Sequence, residues 1–181
     1  MPLTGPAELL HSSEIRQPDT NNYLATNYFQ LTLGRAPLLT YFCQSVNLPS
    51  LTIGMADVPV AGLGVPFKNP VGRYSYEQMT VSFIVDEEMK NWREIHDWMR
   101  TLSAAEDCTE VIPHKERFDT ATIMIMNSAY KPNVRVTLKE VFPVGISGIQ
   151  FSSVSVDNEP VVATATFAYT SYEVKDITNE S

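Results

Sequence analysis

Apolar residues fall on every second position between Met79 and Val85: Met79, Val81, Phe83 and Val85, with Thr80, Ser82 and Ile84 between them. That period predicts a strand with one buried face. From Met89 the period changes, because Met89, Trp92, Ile95, Met99 and Leu102 recur at spacings of three or four. They form one stripe of a helix over about 87–102, whose apolar side must press onto a sheet. The stretch from Arg73 to Leu102 therefore runs a strand straight into an amphipathic helix, and no other stretch reads as helical.

The same period-two reading gives the other elements. Tyr28 to Leu33 places Phe29, Leu31 and Leu33 on one face, and Gly34 to Pro37 reads as a turn. Leu39, Tyr41 and Cys43 alternate with Thr40, Phe42 and Gln44, so residues 28–44 are expected to form a hairpin. Alternation returns at Ala121–Asn127 and Val134–Val141, where Phe142, Pro143 and Gly145 should break the run. Two last strands are expected at Ile149–Val156 and Val161–Val174, joined by a tight turn at Asp157–Pro160. Ser103–Phe118, with Pro113, reads as a polar connector. The pattern predicts about seven strands and one helix, a mainly β (α+β) domain in which two antiparallel sheets form a barrel or sandwich flanked by the helix. Residues 1–22 read as an N-terminal arm, 23–174 as the domain and 175–181 as a C-terminal tail.

One segment does not fit a compact domain. Residues 46–72 carry Pro49, Pro59, Pro66 and Pro70 beside Gly54, Gly62, Gly64 and Gly72, the composition of a long loop. They also carry Leu48, Leu51, Ile53, Met55, Val58, Val60, Leu63, Val65 and Phe67, too many apolar residues for a solvated linker. The expectation is an extended segment that pairs with or covers something, most simply another subunit.

Composition narrows the function by exclusion. Of 181 residues, 44% are hydrophobic and 19% charged, below the usual ~25%, which suits a β-rich protein covered by partners. The net charge of −8 argues against holding nucleic acid through its phosphates, which needs clustered cations. Two cysteines, Cys43 and Cys108, make no disulfide framework and read as reduced, partly buried thiols. The N-terminal residues lack the basic start and apolar core of a signal peptide, and no apolar run reaches the roughly 20 residues of a membrane span. A soluble protein folded in a cytoplasm is expected.

The chain offers no catalytic, cofactor or metal site. The glycines around Gly62 and Gly64 do not open a helix after a strand, so they are no phosphate loop. Cys108, Glu110 and His114 lie near one another in sequence, but His11 and His96 are remote and no paired ligand motif exists. Asp86, Glu87 and Glu88 read as helix capping, since negative charge is favoured at a helix N-terminus. His96, beside Trp92 and Asp97, reads as a satisfied, partly exposed histidine. Trp92 and Trp98 are about 240° apart on a helix of 100° steps, so they make no shared stacking platform, and Trp92 reads as core.

The order of elements resembles the tail tube proteins of contractile-tailed bacteriophages, a family related to the type VI secretion tube protein. The likeness rests on the N-terminal strand Asn27–Leu33, on Val46-Asn47-Leu48-Pro49 before the long loop, and on Val85-Asp86-Glu87-Glu88 leading to Trp92 and Trp98. Phe142-Pro143-Val144 with Ile146, and the final Phe167-Ala168-Tyr169 with Tyr172, complete it, so that it covers about residues 23–174. The resemblance implies a structural protein, not an enzyme, with no cofactor. It would sit in the virion tail after assembly in the host cytoplasm, as hexameric rings stacked into a homo-oligomeric inner tube. The partners implied are a second copy, the tail sheath protein, the tape-measure protein, the baseplate hub or tube initiator, and the tail terminator. Genomic DNA would pass through the lumen without specific binding, and an acidic wall would repel it. The loop residues Leu48 to Phe67 would then be inter-subunit and inter-ring contacts. A tube initiator or terminator of the same fold is the related alternative; a small ligand-binding β-barrel is the alternative of another class.

Overall fold

A computed structural model describes residues 22–58, 66–103, 117–152 and 159–177. The domain has nine strands among them: β1 (Phe29–Leu33), β2 (Cys43–Val46), β3 (Leu51–Val58), β4 (Phe67–Tyr76), β5 (Met79–Ile84), β6 (Asp119–Met126), β7 (Pro132–Ile146), β8 (Val162–Ala168) and β9 (Ser171–Asp176). Two helices join them, α1 (Pro37–Tyr41) and α2 (Lys90–Ser103).

All pairings are antiparallel. One sheet runs β1-β6-β7-β9 and the other β2-β5-β8-β7, so β7 belongs to both. The inner faces of the two sheets meet in one core. Leu31, Leu33, Ala121, Ile123, Val136 and Leu138 come from the first sheet, and Met79, Val81, Phe83, Ala163, Ala165 and Phe167 from the second. This is the expected two-sheet sandwich, with the barrel left open: β1 and β2 end the ladder and do not pair with each other.

The shared strand is possible because β7 turns a corner at Glu140, which takes a left-handed φ of 56°. Up to Lys139 it pairs with β9, and from Phe142 with β8. Tyr169 and Thr170, where β8 gives way to β9, lie at the same corner, and Thr170 donates its backbone N–H to the Lys139 carbonyl at 3.0 Å. Two sequence expectations fail here for one reason. Phe142, Pro143 and Gly145 do not stop the strand, because the register shift between Pro143 and Gly145 absorbs them. Val161–Val174 is not one strand, because the sandwich corner cuts it at residues 169–170, where no glycine or proline signals a break.

The hairpin expected at residues 28–44 is also absent. Residues 37–41 form a helical turn with Pro37 in its first turn, and β1 and β2 pair with β6 and β5 instead of with each other. Pro37 is well suited to a helix start, since its missing N–H has no partner there anyway. The period-two run of Leu39, Tyr41 and Cys43 hid that signal. Leu39 is buried, and Thr40 ties the turn to β1 by accepting from the Leu33 N–H at 3.2 Å.

Helix α2 covers one flank of the sandwich, rotated from the expected stripe. Its buried residues are Asn91, Ile95 and Trp98, while Met89, Trp92, Met99 and Leu102 are half-buried. Trp98 meets Phe167 with ring centroids 6.2 Å apart, and Trp92 instead stacks on His96 at 5.2 Å and donates to the Ser147 carbonyl. The helix starts at Lys90 rather than 87 because Met89 has a φ of 56° and cannot continue it upstream.

The strand-to-helix join is fastened by Asn91. Its amide donates to the Ile84 carbonyl at 2.7 Å, its side-chain oxygen accepts from Asp86 N–H at 3.3 Å, and its own N–H donates to the Asp86 carboxylate at 3.0 Å. Asp86 thus caps the helix as expected of it, from four residues before Lys90. Glu87 and Glu88 lie in the preceding turn, where Glu88 pairs with Lys90.

Residues 149–152 carry no strand, and the remainder of the expected strand 149–156 lies outside the described residues, as do 157 and 158 of the turn. The same holds for most of the arm, for His11, Pro113, Cys108, Glu110 and His114, and for residues 178–181.

Candidate assembly surface

The segment expected to be a long loop is a hairpin of its own. Among the described residues, strands β3 and β4 pair only with each other, and none of their residues is buried. Directly paired residues share a face. Leu51 opposite Tyr76, Ile53 opposite Tyr74 and Met55 opposite Pro70 therefore build one apolar stripe, which ends at the Asp57 and Lys68 pair, 3.9 Å apart. The other face begins polar, with Thr52 and Ser75 hydroxyls 2.7 Å apart, and turns apolar at Val58 opposite Phe67.

Of the nine residues expected to make subunit contacts, six are described. Leu51, Ile53, Met55 and Phe67 are 54%, 56%, 70% and 62% exposed, and Leu48 and Val58 are exposed as well. Val60, Leu63 and Val65 lie outside the described residues. The six do not share one face: Leu51, Ile53 and Met55 lie on the stripe, Val58 and Phe67 on its reverse. Tyr74 and Tyr76, which complete the stripe, fall in the stretch from Arg73 expected to run as strand into helix, but they end β4, and the strand that leads to α2 is β5, starting at Met79.

A bulge bends the hairpin. The register shifts between Ile53 and Met55, where one residue of β3, Gly54, faces three of β4. A Cβ on Gly54 would stand 2.7 Å from the Val71 carbonyl oxygen, and Gly72 takes a φ of 93°, so both glycines are needed at this crossing.

The root of the hairpin is held by aromatic rings. Tyr76 lies 5.1 Å from Tyr172 and 5.6 Å from Tyr169, and 5.4 Å from Tyr74. Ser50 donates to the Glu77 carboxylate at 2.8 Å, and the Glu77 N–H to the Ser50 carbonyl. Burial, followed by the neighbouring Tyr172 and Tyr76, pushes the Tyr169 phenol up to about 12. The group stays neutral and serves as a ring in a cluster. Beyond this root the hairpin has no support from the other described residues, and a bare two-stranded hairpin is marginal in water. Fully burying one such aliphatic or aromatic side chain is worth about 1.5–3 kcal/mol, so the exposed stripe favours a partner.

The charged face of α2 is a different kind of surface. Lys90, Arg93, Asp97 and Arg100 are exposed. Glu94 turns inward toward α1, where the Leu38 and Leu39 N–H groups face its carboxylate; burial is the main cause that raises its pKa. Glu94 thereby supplies the acceptor that Ala36, at the start of α1, lacks. His96 is half-buried, 3.2 Å from Asp97, in the role expected of it.

Comparison with known proteins fits this architecture. A family model described as phage tail tube protein matches residues 12–175. The chain belongs to the phage tail tube protein family. Tail tube proteins of this family are virion tail components, and this chain is a structural protein of that kind. It is 28% identical over 139 residues to the tail tube terminator protein of Enterobacteria phage T4, covering 75% of this chain and 78% of that one. In fold it is similar to the tube-terminating cap of the anti-feeding prophage, with a TM-score of 0.65 at 20% identity over 91% of this chain and 99% of that chain. The sheath/tube terminator structure of an extracellular contractile injection system gives 0.63 at 18% identity, over 86% and 99% of the two chains.

Proposed function

We propose that this tail tube family member forms a hexameric ring at the end of the inner tube of a contractile tail, as a tube terminator. The observation that carries assembly is the β3–β4 hairpin, whose apolar stripe of Leu51, Ile53 and Met55 is left uncovered by the other described residues. Terminal placement is favoured over the tube body by the T4 relative, a tube terminator, and by likeness to a tube-terminating cap. A ring in the body of the tube is the second reading, favoured by a sheath–tube complex structure that is similar at a TM-score of 0.60 and 16% identity.

The work is mechanical and non-enzymatic. The ring binds further copies of itself, the tube below, the sheath and the connection to the head, and lets the tape-measure protein and then DNA pass. Baseplate contacts belong to the far end of such a tube. Contacts among copies use the hairpin residues Leu48, Leu51, Ile53, Met55, Val58 and Phe67, together with Val60, Leu63 and Val65.

Light scattering and negative-stain imaging of the purified protein test this. A terminator gives rings that do not elongate and that attach to the ends of preformed tubes; long tubes from the protein alone would establish the body ring instead. Leu51→Asp with Ile53→Asp should abolish rings while the melting temperature of the monomer is kept. Rings from that double variant would sink the hairpin reading.

A further inference from the structure

Strands β1 and β2 are the two ends of the ladder, and each has one edge unpaired among the described residues. Between them lies an open groove of about 770 Å³. Its lining comes from residues 26–31 and 40–46, and every lining residue is uncharged. Buried Leu31 and half-buried Phe29, Cys43 and Val46 give it an apolar floor, and exposed Gln30 and Gln44 a polar rim. Burial pushes the Cys43 thiol up to about 11, so it stands there as a neutral apolar group.

We infer that this groove is the seat of the β3–β4 hairpin of a second copy, which lays its Leu51–Ile53–Met55 stripe between β1 and β2. The inference rests on the proposed role of the hairpin in assembly and names where the hairpin goes.

Two observations choose this occupant. The first is charge. Within residues 51–58 and 66–76 the hairpin carries only Asp57, Lys68 and Arg73, and two of these pair with each other. Seating its stripe on the charged face of α2 or on Lys139, Glu173 and Lys175 of β7 and β9 would strip water from ions without replacing it. The uncharged groove imposes no such cost. The second is backbone. Hairpin and groove both present unpaired strand edges, and an unpaired edge accepts an added strand. Donor hairpin and acceptor groove are different patches of one surface, so their contact is head-to-tail, and it closes into a ring when the rotation between copies permits. The same contact would close the neighbour's open barrel.

Replacing Met55 with the photoreactive residue p-benzoylphenylalanine, irradiating the assembled full chain and mapping the adducts by mass spectrometry tests the seat. Adducts on residues 26–31 or 40–46 of a second copy are expected. They should be lost when Gln30→Arg and Gln44→Arg, both at exposed positions, place charge in the groove. Adducts confined to any other part of a second copy overturn the seat while leaving hairpin-driven assembly standing. Adducts only within the same chain, together with normal rings from the Leu51→Asp, Ile53→Asp variant, overturn both. If the Gln30→Arg, Gln44→Arg variant melts like wild type and still forms rings, the seat is likewise overturned.

Discussion

Strands β5 and β3 are built to the same rule and meet opposite fates. In β5, Met79, Val81 and Phe83 alternate with Thr80 and Ser82, and all three are fully buried. In β3, Leu51, Ile53 and Met55 alternate with Thr52 and Gly54, and all three are more than half exposed. Period-two patterning makes a strand in either place. Burial requires a second layer, and β5 finds it in the facing sheet and α2, whereas β3, among the described residues, finds only β4. The difference separates residues that hold the monomer together from residues that hold monomers to one another.

This contrast can be broken experimentally, beginning with the largest effect. Phe83→Ala empties a site at the centre of the sandwich and should cost about 3–5 kcal/mol, enough to unfold much of a marginally stable domain. A denaturant titration with little change in midpoint would show that the sandwich core tolerates the cavity and that the two strands differ less than their burial implies.

A smaller loss is expected at Asn91. Asn91→Ala leaves the Ile84 carbonyl without its side-chain donor and the Asp86 N–H without its acceptor, at a cost of about 1–3 kcal/mol. Hydrogen exchange should show early opening at the β5–α2 join, with the β3–β4 hairpin unaffected. Equal protection in mutant and wild type would mean that the join is held by apolar contacts alone.

Smaller again is the effect of Glu94. Its pKa is raised mainly by burial, so at neutral pH the folded chain holds a carboxylate that is less well solvated than in the unfolded chain. The stability this removes is recovered as pH falls through the raised folded pKa toward the unfolded value. Glu94→Gln should therefore melt slightly above wild type at neutral pH, by about 0.5 kcal/mol or less, and the two melting curves should converge on acidification. Lower stability of the variant at neutral pH would show that the charge itself holds the start of α1.

The smallest change in monomer stability belongs to the hairpin. Leu51→Asp and Ile53→Asp should each move the monomer by no more than about 0.5 kcal/mol, the range of surface substitutions, although together they remove assembly. A destabilisation as large as that of Phe83→Ala would place the stripe against its own chain and erase the contrast.

What the sequence determined by itself was local. The spacing of Leu31, Leu33, Val81, Phe83, Ile123, Val136 and Leu138 marked the strands and their buried faces, because alternation is a property of neighbouring residues. The change of period after Val85 marked α2, and the excess of apolar residues over 46–72 marked a surface that needs a cover. Tertiary structure decided the rest. It turned residues 37–41 into a helical turn beneath Glu94, bent β7 at Glu140, rotated α2 to bury Trp98, and paired β1 and β2 with distant strands. It also showed that the suspected loop is a hairpin pairing with itself, and that the groove between β1 and β2 carries no charge. Each of these depends on which distant segments face one another, and a period read along one segment carries no information about the layer it meets.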